Sequence, residues 1–416
     1  MKKTYFWQTA LMAGALLFGF TACSSDDNEA QQQNNNQERT LTIALNLAQP
    51  QVMRSVATTD PKDATPNESA INDVIVAIFD GSGNTVKIEK VTSTQTSDPV
   101  PGLSGVYKWN TTTTGPKITM AAQGLATDYD VYVVANAPSA VATDLQACAS
   151  ETAFETVTIT AEQTLSSDPT TDADGKSTNL IMLGKGKLAD GSTTTFASTI
   201  SLYRLVSKIY IEEASADFSG SVIYENASYK ITEIYLDNVP ASQKFVLDEN
   251  TTAPTINMNA GTDPSTTTSS KKYLTTGALT GTDQITLTTT PTPINHFFFA
   301  MPNASSIYTR LVVKGEFTPS TGATSTTIYY PIYLNWTWNE TASQWEAVTL
   351  TPNTLPYKTS VTRAAKKIYA NDAYKITLNI KTIGVTDPKQ DLDPQSVEVN
   401  VSVANWVDVA QNSTFQ

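Results

Sequence analysis

Histidine occurs once in this chain of 416 residues and cysteine twice. The side chains most used for proton transfer and covalent catalysis near neutral pH are therefore almost absent. The single histidine, His296, lies in the apolar stretch INHFFFAMP and reads as a core or hairpin residue. That inventory builds no Ser/His/Asp, Cys/His or HExxH constellation. Neither a GxxxxGKS/T loop nor a strand-linked GxGxxG occurs, so no phosphate cradle and no cofactor is expected. DGSGNTVKIE, from Asp80 to Glu89, spaces Asp, Ser and Asn like a calcium loop. It lacks the Gly at the sixth loop position and the Glu at the twelfth, and reads as a β-turn; TDADG at 171–175 imitates a calcium loop in the same way. The 40 acidic residues offer many carboxylate pairs, but nothing singles one out. The reading is a non-enzyme with no catalytic or metal residues.

Positive charge is also scarce. The net charge is −13, and arginine stands at five positions only: Arg39, Arg54, Arg204, Arg310 and Arg363. That balance argues against a nucleic-acid partner, which needs clustered Lys and Arg. No basic amphipathic helix points to a membrane surface. After residue 23 no apolar run reaches the length of about 18 residues that a spanning helix needs. The first 23 residues are an export address: Lys2 and Lys3, an apolar segment from Phe6 to Phe20, then FTAC. A cysteine directly after such a site resembles a bacterial lipobox, so Cys23 is the expected lipidation site. The polar stretch SSDDNEAQQQNNNQ behind it has the character of a tether. A structural disulfide would need Cys148, in ATDLQACASETA, which reads as a small buried residue on a helical stretch. No disulfide is expected.

Helix-period segments are few; what the chain has is alternation. In TLTIALNLA, Leu41, Ile43, Leu45 and Leu47 alternate with Thr42, Ala44, Asn46 and Ala48, a strand with one buried face. A polar stretch follows, QVMRSVATTDPKDATPNESA, of the kind proteases reach. INDVIVAIFDGSGNTVKIEKV predicts two strands around a Gly-rich turn. ATDYDVYVVANAPSAV predicts a strand and then a helix over 139–149. Short strands continue through NLIMLGKGKL, YRLVSKIYI, YKITEIYLD, NHFFFAMP, YTRLVVKGEF, TTIYYPIYLNWTWNE and AYKITLNI, spaced as in a β-sandwich. A domain boundary is placed near residue 200. The chain ends in SVEVNVSVANWVDVAQNSTFQ, where Val397, Val399, Val401, Val403, Val407 and Val409 hold odd positions around Trp406. A strand that apolar must pair with something.

In order and spacing these segments resemble the type V pilins of Bacteroides and Porphyromonas, the major fimbrial subunit (fimbrillin, FimA-like) family. The resemblance rests on the lipobox at Cys23, TLTIALNLA, Arg54 ahead of a polar loop, INDVIVAIFDGSG, DVYVVANAP, YRLVSKIYI, KKIYANDAYKITLNI and the ending VEVNVSVANWVDVAQNSTF, with its WxxxxQNST. It spans the chain and is weakest over about 240–360. It implies an all-β fold of two tandem transthyretin-like β-sandwich domains with a C-terminal donor strand. It further implies a signal peptide (1–23), a lipidated propeptide with the first strand (24–54), sandwiches at 55–200 and 201–382, and a linker and donor strand at 383–416. The implied function is a stalk subunit of a cell-surface fimbria, its precursor held by palmitate-type lipid at the outer membrane. A trypsin-like surface protease would cut between Arg54 and Ser55, displacing Leu41, Ile43, Leu45 and Leu47. The implied partners are further copies, head to tail, with fimbrial anchor and tip subunits.

The residues themselves lead near the same place. LTIALNLA (41–48) and VEVNVSVA (397–404) share one pattern, so the second could fill a groove left by the first through β-augmentation. Burying four branched residues yields roughly 6–12 kcal/mol gross, against about 1–2 kcal/mol per ordered backbone residue. IGVTDPKQDLDPQ (383–395) reads as the flexible linker that lets the donor reach out. Donor and groove at opposite ends of a chain make an open filament. The alternative is a surface glycan-binding lipoprotein. It would use Trp336 and Trp338 as a platform on one strand face, and would keep the C-terminal strand on its own domain.

Overall fold

The computed structural model describes residues 39–47, 63–64, 68–95, 98, 107–112, 115–160, 180–192, 195–245, 255–256, 278–303, 308–339, 341–342, 344–346, 365–392, 397–405 and 407–408. All belong to one compact unit, Glu38–Gln416. The chain adopts the all-β class that its alternation predicts.

The first part forms β1 (Thr40–Leu47), β2 (Asp63–Ala64), β3 (Asp73–Phe79), β4 (Thr85–Thr92), β5 (Tyr107–Thr112), β6 (Gly115–Ala121) and β7 (Asp130–Ala135). Two short helices follow, α1 (Ser139–Gln146) and α2 (Glu151–Thr156), then β8 (Thr158–Thr160), β9 (Met182–Lys187), β10 (Ala189–Ser192) and β11 (Thr195–Arg204). The expected single helix over 139–149 is thus shorter than predicted. Ser150, extended at φ −153°, accepts a hydrogen bond from Ala153 N and starts a second helix instead. The second part holds β12 (Ser207–Ala216), β13 (Ser228–Asp237), β14 (Val239–Pro240), β15 (Ser242–Lys244), β16 (Thr255–Ile256), β17 (Ile285–Leu287) and β18 (Thr292–Ala300). It continues with β19 (Arg310–Thr318), β20 (Thr326–Tyr333), β21 (Thr337–Asn339), β22 (Gln344–Glu346), β23 (Asp372–Ile380), β24 (Val397–Asn405) and β25 (Val407–Asp408).

One nine-stranded sheet, in the order β4-β3-β7-β9-β11-β1-β6-β5 with β10 beside β11, makes up the first part. It folds over on itself, because its two halves share one core. Leu41, Ile43 and Leu45 of β1 and Ile118 of β6 meet Val74, Val76 and Ile78 of β3 and Val131 and Val133 of β7. Strand β11 makes the bend: Thr195 to Leu202 pair with β1, while Tyr203 and Arg204 pair with Leu183 and Met182 of β9. The bend brings backbones close, and a Cβ on Gly184 would sit 2.4 Å from Ser201 O. The alternate residues of β3, Ile75, Ala77 and Phe79, join a second core with Leu145 of α1 and Phe154 of α2. Both faces of β3 are therefore apolar, and its pattern is a continuous run rather than an alternation.

The second part contains two four-stranded sheets, β18-β12-β23-β24 and β17-β13-β19-β20. Its strand order repeats the first part. β17-β13-β19-β20 follows β4-β3-β7-β9, and β23-β12-β18 follows β11-β1-β6. Even the parallel pairs correspond, β1 with β11 and β12 with β23. So β12 is to the second part what β1 is to the first. Only Leu205 and Val206 separate β12 from β11, whereas β1 precedes β3 by a long stretch of chain.

The two parts are tied at one end. β8 pairs with β15 across them, and the second core runs continuously from Phe79 through Leu205 to Ile376. A buried ion pair joins Lys208 Nζ to Glu68 Oε1 at 3.0 Å and Oε2 at 3.2 Å. Arg204 Nε donates to Glu68 O at 3.0 Å and Arg204 Nη2 to Ser69 Oγ at 3.1 Å.

Candidate functional site

Strand β1 sits inside its sheet rather than on an edge. It pairs in parallel with β11 over eight positions, Thr40↔Thr195 to Leu47↔Leu202, and antiparallel with β6 over five, Thr40↔Ala121 to Ala44↔Lys117. Alternation decides what is buried: Leu41 and Ile43 are 0% exposed and Leu45 1%, with Leu47 half-buried. Arg39 pins the start of the strand. Its Nη2 meets Asp190 Oδ1 at 2.5 Å, and its guanidinium lies 3.6 Å from the centre of the Phe196 ring.

Strand β24 has the same alternation but an edge position. Among the described residues its one ladder partner is β23, antiparallel over nine positions from Asp372↔Asn405 to Ile380↔Val397, and β21 also lies close to it. Val403, Val401, Val399 and Val397 fall opposite Tyr374, Ile376, Leu378 and Ile380, all core residues. Beyond it, Val407 and Asp408 pair in parallel with Asp63 and Ala64. The terminal strand therefore has a neighbour in its own chain. An apolar strand next to an open sheet edge finds backbone partners there at little entropic cost, and no local pattern marks that long-range pairing.

The stretch expected to be a flexible linker is docked over 383–392. Val385 and Tyr329 exchange backbone hydrogen bonds, Val385 N to Tyr329 O at 3.0 Å and Tyr329 N to Val385 O at 2.8 Å. Tyr330 Oη donates to Thr382 O at 2.8 Å, and Arg310 Nη1 to Lys389 O at 3.4 Å. A Cβ on Gly384 would lie 2.4 Å from Tyr329 O, so the strap lies flush on β20. Tyr333 Oη donates to Asp391 Oδ1 at 2.7 Å; burial, then the Asp391 carboxylate, pushes the phenol up to about 12. Prolines and acids oppose a helix here, but they do not prevent docking.

Cys23, Arg54, Ser55, Trp406 and Val409 lie outside the described residues. Cys148 is a free, half-buried thiol just past the end of α1, not a fully buried helix residue, and its Sγ donates to Asp144 O at 3.3 Å. His296 lies on β18 opposite Ile211, its ring edge-on to Phe298 at 4.6 Å. Asp80 closes the predicted turn by accepting from Ser82 N and Asn84 N. Trp336 and Trp338 do not share one strand: β20 ends at Tyr333, Asn335 turns the chain at φ 51°, and only Trp338 lies in β21. Lys366 Nζ stands 5.1 Å from the Trp336 ring centre and 4.1 Å from that of Tyr333, so a cation of the chain itself already lies over these rings. The Glu68–Lys208 pair carried no sequence signal, because Glu68 lies in a polar stretch and Lys208 in a strand of mixed pattern.

Residues 40–204 match the family described as major fimbrial subunit protein (FimA), and those residues begin at β1 and end with β11. No curated protein matches the chain in sequence. Among solved structures, a fimbrilin (FimA) from Porphyromonas gingivalis is 17% identical, with 90% of this chain and 99% of that one covered at a TM-score of 0.52. A candidate cell adhesion protein from Bacteroides eggerthii is 20% identical over 89% of this chain and 98% of that one, with a TM-score of 0.54. One from Parabacteroides distasonis is 15% identical over 91% and 100%, with a TM-score of 0.53. The chain resembles the FimA-like fimbrillins in sequence over residues 40–204 and in fold over 90% of its length.

Proposed function

We propose that the chain is a structural stalk subunit of a cell-surface fimbria. It is exported as a lipoprotein on Cys23, cleaved between Arg54 and Ser55, and polymerised by donor-strand exchange. The observation that carries this reading is the contrast between two strands of one pattern. β1 is flanked on both sides and buried, while β24, among the described residues, has one ladder partner at a sheet edge. Loss of β1 opens a slot between β11 and β6 with unpaired backbone on both walls and the core exposed. A β24 from another copy that leaves β23 for that slot exchanges a one-sided ladder for a two-sided one. Each extra net hydrogen bond is worth about 0.5–1.5 kcal/mol, so the exchange runs downhill once the slot is vacant. In the precursor β1 occupies the slot, which keeps subunits from polymerising early.

Strand polarity supports the same reading. The Thr40 end of β1 lies at the end of the first part remote from the β11–β12 link. The Val397 end of β24 lies beside Ile380, at the end of the second part remote from that link. Rotating β24 outward about its Val397 end points it away from its own subunit. It would then enter the next slot at the Thr40 end, with the polarity of β1. The buried Glu68–Lys208 pair keeps the newly cut segment on the body while β1 departs.

N-terminal sequencing of filaments sheared from cells tests this. Ser55 at the N-terminus is expected, and Arg54→Ala leaves full-length lipidated precursor without filaments. A lipidated N-terminus in intact filaments would overturn the stalk reading in favour of an anchor subunit. The alternative of a glycan-binding lipoprotein is favoured by one observation, the placement of β24 on its own sheet. It predicts a monomer that retains lipid and is insensitive to Arg54→Ala.

A further inference from the structure

Among the described residues, Val222 and Ile223 are the large hydrophobic side chains that stand exposed, at 95% and 79%. They occupy the tip of the β12–β13 loop, and that loop is not loose. Ser221 N donates to Phe218 O at 2.9 Å, Tyr224 N to Ser221 Oγ at 3.1 Å, and Ala227 N to Tyr224 O at 2.8 Å. Phe218 and Tyr224 flank Phe317 edge-on at 5.5 and 5.2 Å. Two apolar residues held out on a rigid base form a peg that loses little entropy when covered.

The position of the peg indicates what covers it. Ala216, where the loop leaves β12, registers with Ile380, and Ile380 registers with Val397. The loop that carries the peg and the donor strand thus start from the same end of the second part, Ala216 lying two strand spacings or about 10 Å from Val397. The mouth of the β1 slot is lined by the loop 122–129, where Ala122 N donates to Arg39 O at 3.0 Å. That loop is equally fixed: Asp128 N donates to Leu188 O and Leu188 N to Tyr129 O, each at 2.9 Å. Its Leu125 and Tyr129 are half-buried and offer apolar surface beside the mouth.

We infer that Val222 and Ile223 seat on Leu125 and Tyr129 of the next copy in the filament, as a second contact beside the exchanged strand. This inference rests on the donor-strand reading for the direction of stacking. The peg fixes the angle between successive subunits, which one flexible strand crossing would leave free.

The test uses the full chain expressed in fimbriated cells. Val222→Asp with Ile223→Asp leaves the precursor's melting temperature unchanged, because both side chains are exposed. It lowers the yield of sheared filaments by about tenfold or more. A second variant joins Ile223→Cys and Leu125→Cys in a Cys148→Ser background. Oxidised filaments then run as a ladder of covalent multimers, and neither single cysteine gives one. Wild-type yield from the aspartate variant, or intact filaments without a ladder, overturns the contact. Normal filaments that lose host-cell binding also overturn it, since the peg then meets an outside partner. Deleting 397–416 separates the two readings: filaments that persist refute strand exchange, and the cysteine ladder still reports on the peg.

Discussion

Glu68 and Lys208 meet with their side chains 0% and 2% exposed. A pair so buried costs several kcal/mol per ion to dehydrate, and close geometry offsets that cost only while both charges are present. Glu68→Ala therefore removes the carboxylate that faces a buried ammonium and lowers unfolding free energy by about 3–5 kcal/mol, read from urea titration. Glu68→Leu with Lys208→Met recovers most of the loss, because two apolar groups need no partner. Glu151 titrates in a different setting. Burial pushes its carboxyl up, but hydrogen bonds from Lys185 and Tyr132 and the nearby lysine charges outweigh burial and hold it below its ordinary 4.5. A depressed folded pKa means stability that is present above the ordinary value and lost as pH falls through the folded one. Glu151→Gln is accordingly less stable than the parent at pH 7, and the difference closes as pH falls below the ordinary carboxylate range, measured by chemical denaturation across that range. Neither residue was legible as special in the sequence: a carboxylate acquires its role from a lysine brought beside it by the fold.

At the scale of the element, the two alternating strands differ in what surrounds them. Ile43 is fully buried between Ile118 and Ser198. Ile43→Ala leaves a cavity and lowers precursor stability by about 2–5 kcal/mol. If β1 is discarded on maturation, the same substitution leaves the thermal stability of finished filaments unchanged. Equal losses in precursor and filament would show that β1 stays. Alternation marked β1 and β24 as strands from sequence. It did not reveal that one is central and the other an edge, because side-chain period reports a face and says nothing about the number of neighbours. The strap 383–392 shows the same limit. Composition argued against helix correctly, but the hydrogen bonds to Tyr329, Tyr330 and Arg310 depend on residues far away in sequence.

For the whole molecule, a repeated strand order sets the logic. Each part needs a strand in the β1 or β12 position to close its core. Only β12 is tied on both sides by short connections, to β11 through Leu205 and Val206 and to β13 of the facing sheet through residues 217–227. Removing 397–416 takes away an edge strand, not a central one. The truncated precursor should keep its cooperative transition, lose a few degrees of melting temperature, and form no filaments, as checked by calorimetry and electron microscopy. Collapse of the whole fold on that deletion would instead make β24 an integral part of the second core.

The sequence by itself determined the class of the molecule: all-β and acidic, with alternating strands at 40–47 and 397–405. Those properties follow from composition and from a period of two, both local. Only the tertiary structure decided which strand is enclosed, which is held at an edge, and which end of each part their first residues occupy. These depend on pairings such as Leu41 with Phe196 and Ile380 with Val397, and on the ion pair that joins Glu68 to Lys208. Partners that distant are selected by the closing of a common core, not by any signal in the segments themselves.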